Sequence, residues 1–424
     1  MKRILVVGSG AREHALVWRL TKDGAEVHAA PGNAGIAELA AVHAVAADDL
    51  DAQVALAQRL KVDLVVVGPE APLVAGLVDR LSERGIAAFG PSKAAARLEG
   101  SKSFSKDFMV RHGIPTAGHH TFTDVDAALA FVRAAKRPLV VKADGLAAGK
   151  GVVVAKDAEE AADAIERFGR ARELGDAGAT LVIEETLVGP EVSYHVVSDG
   201  SRYVALAPAQ DHKRIFDGDR GPNTGGMGAY SPPPMVDAEV ERKIRQRVIE
   251  PTLRGCATEG FPFRGALFVG LMIVDGEPMV LEYNTRFGDP ETECLMTRWG
   301  GSAIPLFEGA AKGDLSAVQT SWDAPASLCV VLASEGYPGA YPKGRRIEGL
   351  ERAAEVAGVV VFHAGTARAD GGFVTAGGRV LAVTATGVTL DEAAARAYAA
   401  ADRIQFEGKQ LRRDIGWQAR RPPA

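Results

Sequence analysis

Three polar residues at alternate positions, Glu282, Asn284 and Arg286, offer a carboxylate, an amide and a guanidinium along one short stretch. That stretch reads Leu281-Glu282-Tyr283-Asn284-Thr285-Arg286-Phe287-Gly288-Asp289-Pro290-Glu291-Thr292. It follows an apolar run at 266–274 and an Asp275-Gly276 pair, the strongest short signal for a β-hairpin. Residues 279–284 therefore read as the return strand, with Met279, Leu281 and Tyr283 on its apolar face and Glu282 and Asn284 opposite. Arg286 points the same way as Glu282 if the extension continues. Same-face neighbours on a strand stand about 7 Å apart, so two oxygen donors there can converge on Mg²⁺ that takes its other ligands from water and substrate phosphate. Glu282 and Arg286 would be roughly 13 Å apart, too far for an ion pair. The guanidinium is then free to hold an anion bidentately. On a helix the same two residues would be i,i+4 partners and nothing more; the turn pair and the alternation favour the strand.

A chain of 424 residues exceeds one compact core and predicts two to four domains. The composition is ordinary for a globular protein. A net charge of −5 argues against a nucleic-acid partner held by general electrostatics, but a phosphorylated small molecule needs only a local cluster of donors. Cys256, Cys294 and Cys329 are odd in number and scattered, as expected of reduced thiols in a cytoplasmic protein. The opening Met1-Lys2-Arg3-Ile4-Leu5-Val6-Val7 is too short for a signal-peptide core. No apolar run approaches the ~20 residues of a membrane span, so a soluble protein without a membrane partner is expected.

Residues 2–7 form a buried-strand run, followed by Gly8-Ser9-Gly10-Ala11-Arg12-Glu13-His14 opening a helix. Backbone N–H groups at such a turn suit a phosphate. A dinucleotide site fails twice: Glu13 replaces the third glycine, and the next strand, 25–30, ends in Pro31 with no acid for a ribose. Pro31-Gly32-Asn33-Ala34-Gly35 is a second turn at the same sheet edge, and further strands at 64–67 and 86–89 complete a small doubly wound unit to about residue 100. Ser101-Lys102-Ser103 starts a helix whose lysine is either solvated or turned to a phosphate. Strands 139–143 and 152–155 flank Asp144-Gly145-Leu146-Ala147-Ala148-Gly149-Lys150-Gly151. The spacing and the strand on both sides rule out a Walker A loop; a flap closing over phosphates fits, with Lys142 as a direct contact. A strand at 180–183 exits into Glu184-Glu185-Thr186-Leu187 and Gly189-Pro190-Glu191, acids suited either to solvent or to a nucleoside edge. Two more strands follow within 192–204.

The polar, glycine-rich connection at 210–228 reads as an ordered functional loop, and 236–260 as an amphipathic helix. A separate mixed unit begins near 326, with strands at 328–332, 359–362 and 379–383 and a closing helix at 391–404. His363 sits in a turn and reads as structural. The nine histidines show no zinc-ligand spacing, and no Ser/His/Asp or Cys/His motif occurs.

Together these residues resemble the ATP-grasp ligases, and among them those that join glycine to 5-phosphoribosylamine. The carrying motifs are Gly8-Ser9-Gly10-Ala11-Arg12-Glu13-His14-Ala15-Leu16, Pro31-Gly32-Asn33-Ala34-Gly35, Gly68-Pro69-Glu70-Ala71-Pro72-Leu73, Leu98-Glu99-Gly100-Ser101-Lys102, and residues 142–151, 210–214, 221–231 and 286–292. Ala11 stands where the family usually has another glycine, and Gly270-Leu271-Met272 offers no acid on the first hairpin strand, so the metal set stays at Glu282 and Asn284. The resemblance implies a multi-domain α/β ATP-grasp fold: an N-terminal doubly wound parallel-sheet domain (1–101), a core (102–122 and 190–325), a small lid or flap (123–189) and a C-terminal mixed α+β domain (326–424). It implies a cytoplasmic, monomeric enzyme of purine biosynthesis using ATP and Mg²⁺ (or Mn²⁺). The implied catalytic residues are Arg286, holding the glycine carboxylate, and Lys142. ATP would meet Lys102, Lys142, Gly145, Gly149, Lys150, Gly151, Glu184, Glu185, Leu187 and Glu191. Phosphoribosylamine and glycine would meet Gly8, Gly10, Glu13, Pro31, Gly32, Asn33, Glu70, Asp211, His212, Lys213, Arg286 and Asp289.

Overall fold

Ile4, Leu5, Val6 and Val7 are all fully buried, which demands cover on both faces of their sheet and suits parallel neighbours joined by helices. In a computed structural model describing residues 1–147 and 150–420, their strand Arg3–Gly8 is the centre of a five-stranded parallel sheet. The order is Ala41–Val42, Glu26–Pro31, Arg3–Gly8, Leu64–Val67, Ala88–Phe89. The doubly wound expectation is met. The sheet's helical cover on one side merges with the rest of the molecule: Leu16, Leu20 and Phe89 share one apolar cluster with Leu295, Trp299 and Phe307, and with Phe362 near the C-terminal end.

The hairpin forms as read. Strands Arg264–Val274 and Glu277–Asn284 pair antiparallel, and Asp275 and Gly276 both take positive φ (50° and 76°), the mark of a type I′ turn. With Glu191–Asp199 and Tyr203–Ala205 they make a four-stranded antiparallel sheet. The predicted alternation, however, does not hold. Gly270 pairs Glu282 while Leu271 pairs Val280, so Leu281 is an unpaired bulge residue. One extra residue shifts the side-chain phase, and the core receives Val280 and Tyr283, not Met279 and Leu281. Beyond the bulge, Glu282 and Asn284 still share a face.

The lid sheet, also antiparallel, runs His119–Phe122, Leu181–Glu185, Leu139–Ala143, Val152–Ala155, so it starts four residues ahead of the expected lid boundary. The C-terminal unit is not separate. Its five-stranded sheet takes Gln210–Asp211 and Gly228–Ser231 as the first two strands, before Ala326–Ala333, Arg379–Gly387 and Val359–His363. The 210–228 connection is therefore ordered by strand pairing, and it also carries the small ribbon of Arg214–Phe216 with Arg220–Asn223. No helix of the described residues is long and apolar enough to cross a membrane.

His363 ends a strand instead of sitting in a turn, and it ties the first and last units together. The Asn33 amide Nδ2 donates to the carbonyls of Ser9 (2.8 Å) and His363 (2.7 Å), while its Oδ1 accepts from the N–H groups of Gly35 and Ile36. The His363 N–H donates to Nδ1 of His14 at 2.8 Å. Burial lowers the His14 pKa to about 3, so this nitrogen stays an acceptor. A Cβ on Gly35 would lie 2.3 Å from Cγ of His363, which explains glycine there at an ordinary φ of −78°. Gly35→Ala is expected to cost about 1–3 kcal/mol through forced separation of the junction, read as a lower urea midpoint with unchanged slope.

Candidate active site

A cavity of about 830 Å³ lies where the parallel-sheet unit, the lid, the hairpin sheet and the C-terminal unit meet. Glu282, Asn284 and Arg286 all line it. Burial opposes ionisation of Glu282, but Lys213, Lys142, Lys102 and Arg286 outweigh it and hold the carboxyl below the usual range. One carboxylate thus faces four cations, an arrangement suited to a polyanion.

The Arg286 guanidinium is not free. Nε lies 3.3 Å from Glu70, Nη2 3.1 Å from Glu99, and Nη2 also donates to Oδ1 of Asn284 at 3.2 Å, with Nη1 on the Phe287 carbonyl. These acids come from positions some 190 to 220 residues earlier, and no local pattern announces them. Burial works to raise Glu70, yet Arg286 and Arg12 hold it lowered. For Glu99, burial wins: Arg286 opposes it, Glu70 assists it, and the pKa is raised. Glu99 also accepts from the Thr285 N–H at 2.7 Å, fixing the chain just before the arginine.

No group of three or more His, Cys, Asp or Glu side chains placed to hold a metal ion occurs among the described residues. A carboxylate and an amide oxygen on one strand face nevertheless fit a hard divalent ion, Mg²⁺ or Mn²⁺, that completes its shell from phosphate and water. Glu282 and Asn284 supply such a carboxylate and amide oxygen on the cavity wall.

Lys142 and Lys102 both line the cavity. The Lys142 Nζ pairs with Glu184 at 2.8 Å and donates to the carbonyl of the bulge residue Leu281 at 3.0 Å. Glu184 lines the cavity but is buried between Lys142 and Lys106, the latter at 2.9 Å; a buried acid needs such ionic partners. Glu185 pairs with Arg137 on the surface, leaving its backbone, with Thr186 and Leu187, along the cavity edge. The Lys102 Nζ donates to the Gly145 carbonyl at 3.0 Å, and Asp144 accepts from the Ser103 N–H at the start of helix Lys102–Arg111. These bonds pin the base of the flap to the core. Lys150 and Gly151 line the cavity; Gly149 lies outside the described residues.

On the far side, Asp211 and Lys213 face the cavity and His212 does not. His212 accepts from the Gly416 N–H at 3.2 Å and meets Gln418 at 3.0 Å. Alternation along an extended segment sends the middle residue of three the other way. Lys213 pairs with Glu191 at 2.5 Å. Burial pushes Asp211 up to about 7, against Lys213 and with Glu291. The turns carrying Gly8, Gly10, Pro31, Gly32 and Asn33 do not line the cavity. Glu13 fills the first of them: it accepts from the Gly10 N–H at 2.6 Å and leaves no room for a Cβ on Gly8 or Gly68. Asp289 does line it, 3.0 Å from Arg379 of the C-terminal unit.

Among the lining residues that the sequence reading did not assign are Arg12, Glu99, Lys106, Glu291 and Arg379. Arg12, Glu99 and Glu291 stand inside motifs already singled out, so the signal was present. Lys106 and Arg379 lie in a helix and a strand of ordinary pattern, and only contact reveals them.

Three family models match the chain: phosphoribosylglycinamide synthetase N domain over 2–99, its ATP-grasp (A) domain over 100–292 and its C domain over 327–418. A phosphoribosylamine–glycine ligase of Agrobacterium fabrum is 52% identical over 421 residues, 98% of each chain. The crystal structure of a phosphoribosylamine–glycine ligase from Thermotoga maritima superposes with a TM-score of 0.84 at 37% identity, covering 98% of this chain and 100% of that one. A biotin carboxylase domain from Hydrogenobacter thermophilus shares the fold, with a TM-score of 0.75 at 18% identity, covering 97% and 91%.

Proposed function

The chain belongs to the phosphoribosylglycinamide synthetase family of ATP-grasp enzymes and acts as a phosphoribosylamine–glycine ligase in purine biosynthesis, and from that premise we propose how its own residues divide the work. The observation that carries the division is a single cavity in which Glu282 and Asn284 are surrounded by Lys102, Lys142, Lys213 and Arg286.

A carboxylate is a poor electrophile. The glycine carboxylate oxygen first takes the γ-phosphoryl group of ATP, forming a P–O bond as ADP leaves. The amine nitrogen of 5-phosphoribosylamine then attacks the carbonyl carbon of the glycyl phosphate, the C–O bond to phosphate breaks, and the nitrogen loses a proton. The products are glycinamide ribonucleotide, ADP and phosphate, the second step of the pathway. Phosphoryl transfer asks the protein for positioning and charge stabilisation. Lys142 and Lys102 hold phosphates, the flap excludes the water that would hydrolyse the acyl phosphate, and the backbone at 185–187 with Glu191 receives the nucleoside. Arg286 orients the glycine carboxylate, exchanging Glu70 or Glu99 for it. Asp211, Lys213 and Asp289 face the ribosyl substrate. A divalent ion, when bound by Glu282 and Asn284, supplies Lewis-acid neutralisation of phosphate charge. The reading places a monomer in the cytoplasm, and light scattering tests its mass.

The experiment is phosphate release with each substrate withheld in turn. Release requiring ATP, glycine and 5-phosphoribosylamine together supports the reaction. Release sustained by bicarbonate in place of glycine rejects it.

A further inference from the structure

Lys106 has no part in the reaction as described, yet it is almost wholly buried against the nucleotide side of the cavity. Its Nζ donates to Thr116 Oγ1 at 2.6 Å and pairs with Glu184 Oε2 at 2.9 Å. Thr116 Oγ1 in turn donates to the carbonyl of Val280, one residue before the bulge, at 2.7 Å. Lys142 reaches the other oxygen of the same carboxylate, Oε1, at 2.8 Å. Glu184 and Lys142 stand on adjacent lid strands, where Val140 pairs Glu184 and Lys142 pairs Val182; this makes them diagonal neighbours on one face. Lys106 comes from the core helix Lys102–Arg111. One carboxylate therefore has two ammonium partners on separate oxygens, and the cluster carries one surplus positive charge.

We propose that Lys106 is a positioning residue: it keeps Glu184 neutralised so that Lys142 can leave that carboxylate for the nucleotide phosphates. The inference rests on the assignment of Lys142 to phosphate given above. Its physical reason is the asymmetry of buried charge. A paired carboxylate is tolerated in the interior, whereas one stripped of its only cation is strongly penalised. With Lys106 present, Lys142 departs and a neutral Lys106–Glu184 pair remains. Without Lys106, every phosphate contact made by Lys142 strands Glu184. Burial and the nearby Lys142 lower Lys106 to about 8, with Glu184 opposing them, so it remains an ammonium at neutral pH. The Thr116 and Val280 bonds fix it from the core side, which makes Lys142, held among the described residues by Glu184 and the Leu281 carbonyl, the partner that moves.

The test is a double-mutant cycle on the full chain, reading the dissociation constant of magnesium adenylyl imidodiphosphate by calorimetry. Lys106→Met is expected to weaken binding about 10- to 100-fold. Adding Glu184→Gln should restore it to within about threefold of the unaltered enzyme, while Glu184→Gln alone should not strengthen it. Lys106→Arg should rescue. An equal effect of Glu184→Gln in both backgrounds would mean that Lys106 acts on the phosphates by simple charge, and would overturn the proposal; so would unchanged binding by Lys106→Met. If Lys106→Met alone does not fold, the double variant decides: nucleotide affinity near the unaltered value supports the role, and affinity as poor as that of Lys142→Met sinks it. Lys142→Met itself separates the two readings. Should it bind nucleotide normally, the phosphate assignment of Lys142 falls and takes this one with it; should it lose binding while the cycle is additive, only the role of Lys106 falls.

Discussion

Arg286→Lys should lower glycine-dependent turnover by about 100-fold or more while leaving nucleotide affinity within a few-fold of its starting value. The reason is geometric. In the structure the guanidinium spends Nε on Glu70, Nη2 on Glu99 and Asn284, and Nη1 on Phe287. A planar fork can swap one carboxylate for another of the same shape with both N–H bonds kept parallel. An ammonium offers a point charge with no such plane, so it would hold Glu70 or Glu99 but lose the orientation of the glycine carboxylate. The loss should appear in kcat as well as in the KM for glycine, because a misplaced carboxylate oxygen misses the line of the γ-phosphoryl group. Steady-state kinetics with glycine varied, beside calorimetric titration of ADP, gives both numbers. Equal losses of glycine turnover and nucleotide affinity would reject the assignment. A thermal melt accompanies the assay, since Arg286 also joins the 70 and 99 segments to the hairpin.

Glu282→Gln is the second large effect. It removes the only charged member of the proposed metal pair, and the loss of phosphate neutralisation should raise the barrier by about 3 kcal/mol, roughly 100-fold in turnover. The concentration of Mg²⁺ needed for half-maximal rate should rise in parallel. Glu282 has a second possible duty, as counter-ion to Lys213, Lys142, Lys102 and Arg286. The two duties give opposite results. If it served only as counter-ion, its neutralisation would leave four cations facing the cavity, nucleotide would bind more tightly and the Mg²⁺ requirement would not move. Turnover against Mg²⁺ concentration at fixed ATP separates them, and an unchanged requirement removes Glu282 from the metal site.

The four cations also explain why a chain of net charge −5 can handle a polyanion. Their field is local, set by side chains brought from four separate segments of the chain, and the rest of the surface need not be basic. The C-terminal unit enters the same account through Arg379, which grips Asp289 by its side chain and its carbonyl. The unit expected to stand apart from about residue 326 therefore supports the Asp289 loop, and its sheet includes Gly228–Ser231 as a strand.

What the sequence by itself determined is what neighbours along the chain encode. The Asp275-Gly276 turn, the parallel-sheet strands of residues 3–8 and 64–67, the Ser101 cap before Lys102 and the two flap strands all rest on short-range periodicity and turn chemistry, and all formed within a residue or two of their expected places. The motifs of the ATP-grasp ligases were legible for the same reason. Tertiary structure alone decided the rest. The bulge at Leu281 depends on register against Arg264–Val274 and shifted which side chains entered the core. His212 turned away where the chain leaves the strand Gln210–Asp211 that joins the C-terminal sheet. Arg286 found Glu70 and Glu99, and Glu184 found Lys142 and Lys106, across separations that no window of sequence spans. Buried charges must be paired wherever the fold brings them, and the identity of the partner is a fact about space.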